Sequence, residues 1–191
     1  GHTRLTIDCE IEGNGKCSIV SATDSASLTL TPNADLHGGS SGVSVYGAAK
    51  FSMTGGSVHD NSGDGIYLTS SGSLSISGGS IEKNGRGVYV CSGSSSMLAL
   101  SGGTITGNTN GDVVLAAPAI PTPPGASPSP AAVTVSNSVT ANIQIEGLPN
   151  GAGIINPPTP QLKINPNATL TGDVSVGGLM RNLSNSNSVQ N

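Results

Sequence analysis

Aromatic side chains are nearly missing: the 191-residue chain has no Trp, one Phe and three Tyr. An interior built from large rings is excluded, so small and β-branched side chains must fill whatever core exists. Charge is scarce as well, at 9% of residues, with seven Lys and Arg and a formal net charge of −4. Cations scattered singly form no stripe to neutralise phosphates and no polybasic patch, which argues against nucleic acid as a partner and against membrane attachment. Long apolar runs are absent too. The longest, Val113 to Ile120, contains Pro118 and falls well below the roughly 20 residues that cross a bilayer. The chain opens Gly1-His2, with no charged-then-apolar leader, and is expected to be either a mature portion or an excised piece, from which signals for export could have been removed.

Metal-ligand spacing is likewise lacking. Cys9, Cys17 and Cys91, with His2, His37 and His59, show no C-x-x-C or H-x-x-x-H pair, so neither a metal nor any other cofactor is expected. Cys9 and Cys17 are close enough in sequence to close a small disulfide loop at the amino end, leaving Cys91 over.

Glycine, at 28 positions, is plentiful, and it is placed periodically. The pattern G-G-[ST]-[IV]-x-x-N occurs from Gly55 to Asn61, Gly78 to Asn84 and Gly102 to Asn108. A short alternating strand precedes each copy: Phe51-Ser52-Met53, Leu74-Ser75-Ile76 and Leu98-Ala99-Leu100. A second strand follows the Asn, as Gly65-Ile66-Tyr67-Leu68 and Gly87-Val88-Tyr89-Val90, and Gly42-Val43-Ser44-Val45 is in phase with both. Each unit therefore carries three strands too short to cover a core alone, and only stacking of successive units makes one. Stacking aligns five inward rows: Val43, Ile66, Val88; Val45, Leu68, Val90; Phe51, Leu74, Leu98; Met53, Ile76, Leu100; and Val58, Ile81, Ile105. The predicted fold is all-β, a right-handed parallel β-helix with coils of about 23 residues. Gly56, Gly79 and Gly103 are expected at corners that need positive φ. Asn61, Asn84 and Asn108 are expected to form a hydrogen-bonded ladder along the axis at the strand spacing.

Residues 42–115 hold the regular repeats. Residues 1–41 read as amino-terminal coils and cap, with Leu5 to Ile11 as one opening strand and Leu36-His37-Gly38-Gly39 as a degenerate turn. The Pro-rich stretch 116–132 interrupts the rhythm and is expected to be thrown out as a loop. Residues 133–179 resume it as wider, less regular coils, and the Asn- and Ser-rich residues 180–191 read as a tail.

No catalytic constellation emerges. The acidic residues nearest to one are Asp60 and Asp64, but stacking places Asp60 against Lys83, His59 against Glu82 and Asp64 near Arg86, so the charges are expected to pair and no enzyme is predicted. The outward positions of the Gly-[IV]-Tyr-[LV] strands give a row of Ser44, Tyr67 and Tyr89, which is either a ladder that stiffens the stack or the candidate binding surface for a protein or a sugar.

The G-G-[ST]-[IV]-x-x-N units, over roughly Gly42 to Leu115, resemble the repeats of bacterial β-helical surface proteins, including polymorphic outer-membrane proteins of autotransporter type and spirochaete surface proteins. The resemblance implies an exported passenger on the bacterial outer surface, structural or adhesive. Its partners would be a protein or glycan on another cell or in the matrix, or neighbouring copies of itself. The alternative expectation is a carbohydrate-binding or carbohydrate-cleaving β-helix of pectate-lyase or tail-spike type.

Overall fold

A computed structural model describes residues 3–91, 96–116, 132–146 and 161–176. The Pro-rich stretch (117–131 of it) and the tail 180–191 lie outside the described residues. Over the described residues the chain winds through three parallel sheets of seven strands each, one strand per sheet per coil. The first sheet stacks Arg4–Ile7, Ser27–Leu30, Lys50–Met53, Ser73–Ile76, Met97–Leu100, Ala132–Val135 and Gln161–Ile164. The second stacks Glu10–Glu12, Asp35–His37, Ser57–His59, Ser80–Glu82, Thr104–Thr106, Ser138–Ala141 and Thr169–Thr171. The third stacks Ser18–Ala22, Ser41–Val45, Asp64–Leu68, Arg86–Val90, Val113–Leu115, Ile143–Ile145 and Val174–Val176. This is the right-handed parallel β-helix expected from the repeat.

All five inward rows align as anticipated. Leu74 lies between Phe51 and Leu98, and Ile81 between Val58 and Ile105, in direct register. Every member of the five rows is buried. Each such Leu, Ile or Val contributes about 1.5–3 kcal/mol, which must offset the ordering of a glycine-rich chain.

Three amino-terminal expectations are corrected. Leu5 to Ile11 is two strands, with a corner at Asp8-Cys9, because the coil above turns at Thr31 to Ala34 around Pro32 and leaves nothing to pair with beyond Ile7. Leu36 and His37 are strand residues in the second sheet, and the turn begins only at Gly38, which has φ 74°. Cys9 and Cys17 are free thiols, not a disulfide. They flank the strand Glu10–Glu12 at different corners of the first coil, and the backbone of each is tied to the coil above through Asp35 and Ser40.

The asparagine ladder is present and has a direction. The Asn61 amide nitrogen donates to Asn84 Oδ1 at 2.9 Å, and that of Asn84 to Asn108 Oδ1 at 3.0 Å. The same oxygens also accept the backbone N–H of Asn61 and Asn84, and the amide nitrogen of Asn84 donates further to the carbonyls of Val58 and Glu82. At the top the Asn108 amide donates to Asp112 Oδ1 at 3.1 Å. From the opposite end, Asn142 donates its side-chain amide to Asp112 Oδ2 at 2.8 Å, and its own Oδ1 accepts from the Asp173 backbone. Two runs of hydrogen bonds with opposed polarity thus meet at Asp112, which is 4% exposed. Only a group that accepts at both oxygens and donates at neither can stand there.

Asp112 also marks a change of corner. Ile66, Val88, Val113, Ile143 and Val174 share one column, so the residues before them, Gly65, Gly87, Asp112, Asn142 and Asp173, share another. In the lower coils this column must be Gly: a Cβ on Gly65 would lie 2.7 Å from Gly87 O and 2.8 Å from the Asn84 amide nitrogen. Above Asp112 the corner between the second and third sheets shrinks to the single residue Asn142, and the polar side chain moves into the column the glycines occupied.

The second Gly of each pair has the expected role. Gly79 has φ 91°, and a Cβ there would lie 2.6 Å from Gly56 O. Immediately before each ladder position the backbone is left-handed as well, at Gly38, Asp60 (φ 50°), Lys83 (φ 55°) and Gly107. Lys83 is exposed and its nearest ionic partner, Glu82, is 4.0 Å away. Since a side chain in this conformation costs about 1–2 kcal/mol and glycine loses part of that gain through its freer unfolded state, Lys83→Gly should stabilise the protein by about 0.5–1 kcal/mol. The denaturation midpoint in urea reads this directly, and a fall in the midpoint would contradict the strain argument.

Candidate functional site

The outer face of the third sheet carries the tyrosines. Ser44, Tyr67 and Tyr89 are in register as expected, followed by Val114. Tyr67 and Tyr89 are half-buried and stacked, with ring centroids 5.9 Å apart. Ser44, however, is 2% exposed and shares a 2.7 Å hydrogen bond with Ser18 Oγ, so it is not a contact residue. A serine hydroxyl is too short to rise past the neighbouring tyrosine ring. The place expected for Ser44 belongs to Tyr46, which is 39% exposed with its ring centroid 5.8 Å from that of Tyr67. The signal was in the sequence: Tyr46 lies two residues beyond Ser44, on the same side of the strand alternation.

One row thus contains every tyrosine of the chain. Both flanks of the Tyr67 ring are taken by its neighbours. Beneath Tyr89 the Arg86 guanidinium lies 3.5 Å from the ring centroid, and Asp64 holds it by two hydrogen bonds of 2.6 and 3.1 Å. Burial tends to lower the Arg86 pKa, but the hydrogen bonds and charge of Asp64 outweigh it and raise the group above its usual value. Burial raises the hydroxyls of Tyr67 and Tyr89 above the ordinary phenol range, so both remain protonated donors. The row therefore presents three partly exposed rings, with the paired Arg86 and Asp64 at one end.

A second polar cluster lies on the outer face of the second sheet, across the first three coils. His37 and His59 are in register and stack with centroids 5.1 Å apart and planes within 9°. His37 Nε2 is 2.9 Å from Glu10 Oε1, and this hydrogen bond raises the His37 pKa above its usual value. His59 Nδ1 is 2.6 Å from Asp60 Oδ2, which holds the Asp60 carboxyl below the usual range. His59 Nε2 lies 2.9 Å from Asp35 Oδ1 but off the hydrogen-bonding direction, so that oxygen, shielded from water, accepts no hydrogen bond. The expected charge pairs are thus partly rearranged. Asp64 pairs with Arg86 and His59 is in register with Glu82, but the ionic partners of His59 are Asp35 and Asp60, and Lys83 approaches Glu82 and not Asp60. Asp60 instead bonds the ring of its own neighbour.

The outer face of the first sheet forms a shallow depression of about 480 Å³. Its floor is a row of hydroxyls, Thr6, Thr29, Ser52 and Ser75, in direct register, with Arg4 and Lys50 along one side.

No curated protein and no solved structure matches the chain. The family model described as right handed beta helix region matches residues 2–148, and with three parallel seven-stranded sheets wound from one chain, the protein belongs to that β-helix family.

Proposed function

We propose that this chain is a noncatalytic structural or adhesive segment of an extracellular bacterial surface protein, and that the Tyr46, Tyr67 and Tyr89 row is its contact surface for a protein or glycan on another cell or in the matrix. The observation that carries the reading is the gathering of all three tyrosines of an aromatic-poor chain into one half-exposed line with Arg86 at its end. Tyrosine and arginine supply most of the energy at protein contacts because they combine apolar area with a donor at low entropic cost. Buried hydrogen bonding accounts for the interior asparagines, whereas the three rings stand partly exposed on the outside. Beside the row Asp64 and Arg86 are paired with each other, which supports a passive role.

Binding to cells, matrix proteins and a glycan array tests this reading. Tyr67→Ala and Tyr89→Ala together should lower binding at least ~10-fold, the loss of one anchor residue of about 1.4 kcal/mol, with an unchanged circular dichroism spectrum. Binding that survives the double substitution would remove the proposed surface.

The second reading, a carbohydrate-directed β-helix, is favoured by the hydroxyl-floored depression of the first sheet, where Arg4 and Lys50 suit an acidic sugar chain. Binding of an acidic oligosaccharide abolished by Lys50→Ala would place function there, and bond cleavage abolished by Asp60→Asn or Asp64→Asn would place it at the corner between the second and third sheets.

A further inference from the structure

We propose that Glu10, Asp35 and His37, joined by His59, form a binding site for one divalent transition metal of the zinc class on the outer face of the second sheet. Ligand atoms of Glu10, Asp35 and His37 all lie within 4.8 Å of one another. A tetrahedral zinc site has ligand atoms about 3.4 Å apart, so the set needs to draw in by little more than an ångström. Glu10, the most exposed of the group, has the rotamer freedom to supply most of that. The fourth donor, His59 Nε2, is 2.9 Å from Asp35 Oδ1 and lies outside the cluster of three, so it must swing toward Glu10 and His37 to complete the site.

Three further features point to a cation and not only to a network of ion pairs. Asp35 Oδ1 is out of water and accepts no hydrogen bond, a costly state for a carboxylate oxygen that a metal bond would relieve. Both imidazoles turn Nε2 toward carboxylates, His37 toward Glu10 and His59 toward Asp35, so rotation of the two stacked rings brings both nitrogens to one ion. The remaining ring nitrogen of His59 is held by Asp60 at 2.6 Å, the carboxylate–histidine arrangement that orients metal-binding rings. Two imidazoles with two carboxylates select zinc-like ions over calcium or magnesium, which take oxygen donors alone.

The ligands come from three successive coils: Glu10 from the first, Asp35 and His37 from the second, His59 from the third. Bound metal would therefore tie the amino-terminal coils together across their outer face, as the asparagines do inside.

Titration of the full chain with Co²⁺, followed by visible absorption, and with Zn²⁺, followed by calorimetry, tests the site. Expected are one ion per chain, ligand-field bands without a thiolate charge-transfer band, and a higher melting temperature with Zn²⁺. His37→Ala with His59→Ala should abolish binding. Asp60→Asn should weaken it about 10-fold or more without changing the stoichiometry. Asp35→Asn, which keeps the shape of the side chain, repeats the test should the histidine variant unfold. The proposal is overturned by undetectable binding to the parent chain, by undiminished binding to the folded histidine variant or to Asp35→Asn, or by a thiolate band that disappears with Cys9→Ser and Cys17→Ser.

Discussion

Asn84→Ala is expected to lower stability by about 3–5 kcal/mol. The alanine still gives its backbone N–H to Asn108, but the backbone N–H of Asn61 loses its acceptor, the Asn61 amide loses one of its acceptors, and the carbonyls of Val58 and Glu82 lose a donor. Asn84 is 1% exposed, so water does not reach these groups without opening the corner. Each buried group stranded in this way costs about 1–3 kcal/mol, and the losses are not independent because they share one corner. Asn84→Asp tests the direction of the ladder. It retains an acceptor for Asn61 but sets a carboxylate oxygen against Asn108 Oδ1, so it should be destabilised nearly as much as the alanine variant. Hydrogen exchange of the Asn61 and Arg86 amides reports the local effect. A change below about 0.5 kcal/mol, the range of ordinary surface substitutions, would mean that the ladder is ornamental.

Asp112→Asn should cost about 2–4 kcal/mol, although it changes one atom. Four N–H groups converge on the carboxylate, two from Asn108 and two from Asn142. An amide at this position turns its own NH₂ toward one of those pairs, placing donor against donor whichever way it flips. The coils above Asp112 depend on this joint, because the backbone N–H of Asn142 is anchored there. Exchange protection should therefore fall chiefly in 132–146 and 161–176, while the coils below remain protected. Uniform loosening of all seven coils, or none, would show that opposed polarity does not meet at this residue.

The architecture was legible because the information lies in a sum of weak coincidences. Phe51, Leu74 and Leu98 are each ordinary, but their alignment with four other rows in one register is not, and every row is buried as read. The ladder positions were legible for the same reason. Its polarity was not, since a one-letter Asn does not say which way its amide points, and Asp112 lacks the G-G-[ST]-[IV] context that draws attention to the others. Tyr67 and Tyr89 stood out as repeats of one motif, whereas Tyr46 follows its strand and belongs to no motif. The pairing of His37 with His59 is invisible at C-x-x-C or H-x-x-x-H spacing. In a solenoid the neighbours of a side chain are one coil away, and the relevant spacing is 22 residues, from His37 to His59.

The three corners of the coil differ in how much they tolerate. Glycine pairs fix the first, and the buried amides fix the second. Between the third sheet and the first the distance along the chain varies: Leu68 is followed by Ser73, Val90 by Met97, Leu115 by Ala132 and Ile145 by Gln161 at equivalent strand ends and starts. Met97, Ala132 and Gln161 nevertheless take the same place in their sheet. That corner is a permissive port, where foreign peptide grafted after Leu115 would alter what is displayed and leave the winding untouched.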